Sequence, residues 1–183
     1  MKATVDLLVL AVGVFIAYIV QEALPPMHDI HGAHIILIPM VFCYAAAVLP
    51  FPAMLAGAVF TGFVVDILNV HVVGGRIEIP AGASIFYFVT FGCIANGFRS
   101  AMKGGNILPF ALLSGLGTSG FLLMQFALIT WQRGGFVWEP AAGWRILAPG
   151  VMAALVAPLF HLTLSNLDRL VPDGSRKKKA IAR

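Results

Sequence analysis

The chain has 183 residues, of which 60% are apolar and 11% charged, with 12 Lys+Arg against 8 Asp+Glu. A soluble domain carries about 25% charge and about 45–50% apolar residues. The composition therefore excludes an ordinary soluble enzyme, and its high hydrophobicity excludes disorder; the class that remains is a polytopic membrane protein.

A membrane-crossing helix needs about 20 mostly apolar residues, within a range near 17–25. Six stretches qualify in chain order. The first covers residues 5–24. Lys2 precedes it, and Gln21-Glu22-Ala23-Leu24-Pro25-Pro26 offers no small-x-small cleavage site, so it reads as a retained helix rather than a signal peptide. The second covers 33–49 and the third 53–70, separated by Pro50-Phe51-Pro52, whose two prolines call for a turn. The fourth covers 82–98, the fifth 107–131 and the sixth 146–167, with kinks expected at Pro149 and Pro158. The expected organisation is an all-α integral membrane domain over 1–168 with six transmembrane helices, followed by a basic tail over 169–183.

Lys and Arg in short loops set orientation. With the N-terminus, the 50–52 turn, the 99–106 loop and the C-terminus on one side, that side holds Lys2, Arg99, Lys103, Arg169, Arg176, Lys177, Lys178, Lys179 and Arg183, nine of the 12. Arg76, Arg133 and Arg145 fall on the other. Both termini are thus expected in the cytoplasm. The basic balance sits largely in the tail, so Arg176, Lys177, Lys178 and Lys179 are expected to contact anionic lipid head groups rather than nucleic acid. The outer loops, 21–33, 71–81 and 132–145, are too short for a separate domain. They carry the interfacial anchors Trp138 and Trp144, with Trp131 at the edge of the last.

Charge within hydrocarbon is costly and marks a use. Asp6 and Glu22 lie at the ends of the first span and can reach water. Asp66 is the exception: it lies about 20 Å along from Ala53, in the outer half of the bilayer and about one turn below its surface. Gly62 and Ala58 precede it at four-residue steps on the same face, a small-residue stripe along which another backbone can approach and bond Asp66. The readings open for Asp66 are a contact to a helix or partner, a proton or substrate site, a carboxylate facing loop water, or a cap on a neighbouring helix. Ser114, Gly115, Gly117, Thr118, Ser119 and Gly120 form a close-packing surface in the fifth span. Arg99, after Asn96 at the end of the fourth span, is expected to snorkel toward the cytoplasm.

His28, His31 and His34 would spread over about 120° of a helix and have no cysteine beside them, so a polar loop is expected and not a zinc site. His161 reads as a helix–helix contact. Cys43 and Cys93 lie in apolar runs and read as packed thiols. There is no glycine-rich phosphate loop, no His-Glu-x2-His, no Gly-x-Ser-x-Gly, and no nucleophile–base pair in the outer loops. The expectation is a non-enzymatic protein without cofactor or metal.

The stretch Gly57-Ala58-Val59-Phe60-Thr61-Gly62-Phe63-Val64-Val65-Asp66-Ile67-Leu68, after Pro39 and Pro50 or Pro52, resembles the signature region of the rod shape-determining protein MreD family. Phe60, Gly62 and Asp66 match its aromatic, glycine and acid, and Gly74 or Gly82 stands for the glycine of the following loop. Ala157-Pro158-Leu159-Phe160 before a basic tail resembles the family's last helix. This chain departs from the pattern in longer outer loops and in Phe63-Val64-Val65 before Asp66. The resemblance implies a bacterial inner-membrane scaffold of cell-wall elongation. It implies an MreC-like partner and, through it, the MreB filament and the RodA–penicillin-binding synthase. It also implies a fold similar to the substrate-binding subunits of energy-coupling-factor transporters. Gly57, Phe60, Gly62 and Asp66 would then be helix-packing or partner contacts. The alternative is such a vitamin-binding subunit itself. It would need an Ala-x3-Ala contact in the first span, where Ala11 and Ala17 stand six apart, and a pocket for which Tyr87, Trp131, Trp138 and Trp144 are candidates.

Overall fold

The computed structural model describes residues 2–25, 32–69, 72–73, 76–77, 81–103, 107–135 and 140–170. Seven helices follow in order: α1 (Lys2–Ala23), α2 (Ile38–Val48), α3 (Phe51–Leu68), α4 (Ala83–Gly97), α5 (Arg99–Lys103), α6 (Ile107–Gln132) and α7 (Pro140–Leu170). Between α3 and α4, β1 (Val72–Val73) pairs antiparallel with β2 (Arg76–Ile77), Val72 opposite Ile77. The expectations resting on Gly74, His28, His31, Trp138, Arg176, Lys177, Lys178 and Lys179 lie outside the described residues.

Among the described residues, four helical segments are long and apolar enough to cross a membrane: Thr4–Ala23, Phe51–Leu68, Ile107–Gln132 and Ala141–Leu162. Two further apolar helices, α2 and α4, are shorter. At 1.5 Å per residue, α2 is about 16 Å long and α4 about 22 Å, against about 39 Å for α6.

The second apolar stretch is helical over less of its length than its hydropathy suggests, for a local reason. Pro39 occupies the first turn of α2, where its missing N–H is harmless. A helix begun at residue 33 would bring Pro39 into its interior, removing one bond and clashing with the preceding turn. Residues 33–37 are instead non-helical, with Ala33 and Leu37 buried. A break between the second and third spans is present but falls at Leu49-Pro50: α2 ends at Val48, extended Pro50 caps α3, and Phe51 and Pro52, expected in the turn, already form its first turn, where proline is tolerated. Two segments expected as loops are partly helical. The 99–106 stretch contains α5, anchored by buried Met102. Pro140 opens α7 from the first position, so Trp144 and Arg145 ride on a helix.

Nine of the 11 residues of α2 are buried, and it packs on α1, α3, α4, α6 and α7. Phe42 on α2 meets Phe88 of α4 edge-on at 5.2 Å, and Phe88 reaches Phe121 of α6 at 5.6 Å. His161 joins Tyr44 and Phe110 at ring distances of 6.0 and 5.3 Å, tying α7 to α2 and α6. In α6 and α7 the small residues let backbones meet: a Cβ on Gly115 would lie 2.8 Å from the Gly150 carbonyl oxygen. Large apolar side chains face outward instead, among them Leu108, Leu112 and Leu116 on α6 and Leu147, Val151, Leu155 and Leu159 on α7. Contiguous exposed apolar faces of this extent are unfavourable in water and suited to hydrocarbon. Cys43 is buried as expected. Cys93 is not a packed thiol: Gly92 faces the core against Met54 and Phe42, and the next position, about 100° round α4, is turned outward.

Candidate functional site

Helix ends leave backbone groups unpaired, and in a membrane water cannot answer them. Four such ends in this bundle receive a side chain from another helix. At the start of α4 the capping position is Gly82, at φ +100°, a left-handed conformation that glycine adopts without strain. Glycine has no side chain to cap with, and Asp66 of α3 supplies the oxygens: Oδ2 accepts from Gly82 N at 2.6 Å and Oδ1 from Ser84 N at 3.2 Å. A carboxylate at a helix N-terminus is also favoured by the helix dipole. One turn earlier, Gly62 is buried against the same segment, where a Cβ would lie 2.5 Å from Ile85 N and 2.8 Å from Ser84 C. Backbone approach at Gly62 and capping by Asp66 are thus two parts of one joint.

The C-terminal end of α2 is met from the end of α4. Asn96 Nδ2 donates to Ala46 O at 2.9 Å and Leu49 O at 3.5 Å, and Arg99 Nη2 donates to Val48 O at 2.7 Å. A cation suits a helix C-terminus for the same dipolar reason. Arg99 therefore does more than reach for solvent. At the other end of α2, Gln21 Oε1 of α1 accepts from Leu37 N at 3.4 Å, and Tyr18 Oη of α1 donates to Leu68 O at the end of α3 at 3.3 Å.

Of the residues singled out from the sequence, Gly57 and Phe60 face α1. A Cβ on Gly57 would lie 2.6 Å from Leu10 Cδ2, and the Phe60 ring meets Phe15 edge-on at 6.4 Å. Gly62 and Asp66 face α4. The four residues thus divide between two helix contacts. Tyr87 donates to Gly117 O and stacks on Phe91 at 5.8 Å. Trp131 is 86% exposed and lies about 21 Å along α6 from Gly117, and Trp144 is 59% exposed, so these aromatic residues form no common pocket. His34 is exposed, and among the described residues no three His, Cys, Asp or Glu are placed to share a metal ion.

Sequence reasoning passed over Tyr18, met Gln21 only in the segment closing the first span and Gly82 only as a loop glycine, and noted Asn96 and Arg99 only as an end to a span. Their signal is a polar residue closing an apolar run. Thr61 Oγ1 and Arg99 Nε are buried with no partner among the described residues, and the buried Ser114 hydroxyl lies beside the Cys43 thiol. Thr90, Thr118 and Thr130 each donate to the carbonyl four residues back, at 2.9, 2.9 and 2.7 Å.

Fold and contacts together define an all-helical bundle of membrane-protein type, tied by side chains placed on helix ends. The chain matches no family model, no curated protein and no solved structure.

Proposed function

We propose that this chain is a six-span, non-enzymatic scaffold of the bacterial inner membrane, part of the cell-wall elongation and cell-shape machinery, with an MreC-like partner. The supporting observation is the MreD-like stretch Gly57–Leu68, whose Phe60, Gly62 and Asp66 all fall on one membrane-length helix. In a scaffold, polar residues act by joining helices, and Asp66, Asn96, Arg99 and Gln21 are engaged with backbone groups. Six crossings follow if the two shorter apolar helices, α2 with the non-helical residues 33–37 before it and α4, each make a traverse of their own. Both termini lie in the cytoplasm on the distribution of Lys and Arg, and the tail rests on anionic lipid.

The test is co-purification of the tagged chain from its native membrane, with mass spectrometry of what stays bound. MreC-like and cell-wall synthase subunits are the expected companions. A transporter ATPase pair, or a tightly held vitamin, overturns the scaffold reading in favour of a transporter subunit.

A further inference from the structure

The outward apolar faces of the bundle differ in height. α1 packs on α3 and α3 on α4, so the three make one continuous wall. On α1, Asp6 and Glu22 stand 16 positions apart, about 24 Å along the helix. On α3 the large exposed apolar side chains run from Phe51 to Ile67, again about 24 Å. α4 begins at the end bonded to Asp66 and gives way to Arg99 just after Phe98, and Gly82 lies about 26 Å from Arg99 along the chain. Its outward residues Phe86, Thr90, Cys93, Ile94 and Phe98 fall between those limits.

Beyond α4, the helix α6 is taller. It carries no charged residue from Ile107 to Gln132, and exposed Leu108 and Trp131 are about 35 Å apart along it. Hydrocarbon is about 30 Å thick. A helix longer than that fits by tilting, whereas tilt only lowers a helix that is already short. α6 can adjust itself to the membrane, and the α1–α3–α4 wall cannot, so the lipid has to yield there.

We propose that the α1–α3–α4 wall is a surface for short acyl chains, beside which the bilayer is thinner than beside α6. The match of lengths selects this partner. The inference rests on α4 crossing the membrane, as the six-span reading requires, and not on any cell-wall partner.

The full chain is reconstituted in phosphatidylcholine vesicles with a bimane fluorophore on Cys93, the outward thiol of α4. Brominated dioleoyl phosphatidylcholine quenches it, and unbrominated lipids with two 14-carbon or two 18-carbon monounsaturated chains compete. The same reading is taken at Phe63→Cys on α3 and Leu116→Cys on α6, both outward positions, each in a Cys93→Ser background. At Cys93 and Phe63→Cys the 14-carbon lipid relieves quenching about threefold better than the 18-carbon lipid. At Leu116→Cys the 18-carbon lipid does at least as well. The same order of lipids at all three positions, or a preference for the longer chain at Cys93, overturns the proposal. Topology is read separately in intact cells, with an impermeant thiol reagent on Ala81→Cys and Ser100→Cys, exposed at either end of α4. Labelling of one and not the other is expected. Labelling of both from one side removes the six-span reading and this proposal with it, whereas opposite sides without a chain-length difference removes this proposal alone.

Discussion

The Asp66 carboxylate on α3 and the Gly82 amide before α4 stand 2.6 Å apart, 16 residues from each other in sequence. Helices α3 and α4 are thus joined where one carries a charge and the other has an unanswered N-terminus. Removing the carboxylate orphans both Gly82 N and Ser84 N. Asp66→Leu is expected to destabilise the bundle by about 2–3 kcal/mol, and Asp66→Asn, which keeps one acceptor, by less. Unfolding in mixed detergent micelles checks the order. Equal losses for the two variants would show that the capping bonds are not what Asp66 contributes.

Gly62 and Gly57 look alike in the sequence but face different obstacles. At Gly62 the obstacle is the Ile85 backbone, which cannot turn aside; at Gly57 it is the end of the Leu10 side chain. Gly62→Ala should cost about 2–3 kcal/mol and Gly57→Ala less than about 1 kcal/mol. The same unfolding measurement compares them, and a larger cost at Gly57 would contradict the packing described.

Asn96 holds two carbonyls at the end of α2. Asn96→Leu is close in volume and removes both bonds, so a loss of about 1–2 kcal/mol is expected. Hydrogen exchange localises it: amides in α2 should exchange faster while those in α6 remain as in the wild type. Faster exchange throughout the bundle would mean that the cap is not local.

The two cysteines differ in surroundings. Cys93 faces outward and Cys43 is buried beneath α6. A membrane-permeant maleimide should label one thiol per chain in the folded protein and two after denaturation in SDS, counted by intact mass. Two labels before denaturation would contradict the core packing.

The helical class and most helix boundaries were legible because long apolar runs are visible without tertiary information. A break near Pro50 was legible because proline restricts the backbone locally, although Phe51 and Pro52 turned out to open α3. Asp66 stood out because a charge in such a run is costly, although its acceptor role was one of several readings. The shortened α2 was not legible. Residues 33–37 are mostly apolar, as a helix there would be, and hydropathy does not distinguish helical from non-helical backbone. The targets of Asn96 and Arg99 were hidden by distance along the chain, since Ala46 and Val48 precede them by 50 and 51 residues. The two glycines illustrate the same limit, because the stripe is written in the sequence and the neighbour that makes it costly to fill is not.

The position of α2 bears on how the chain is made. The Ala46 and Val48 carbonyls near its C-terminus find side-chain donors only after α3, at Asn96 late in α4 and at Arg99 beyond it. A nascent chain that has released α1, α2 and α3 from the ribosome therefore holds its innermost helix unfinished at one end. That end closes once residue 99 has emerged, so the first five helices mature as one unit of biogenesis, onto which the α6–α7 hairpin is later laid.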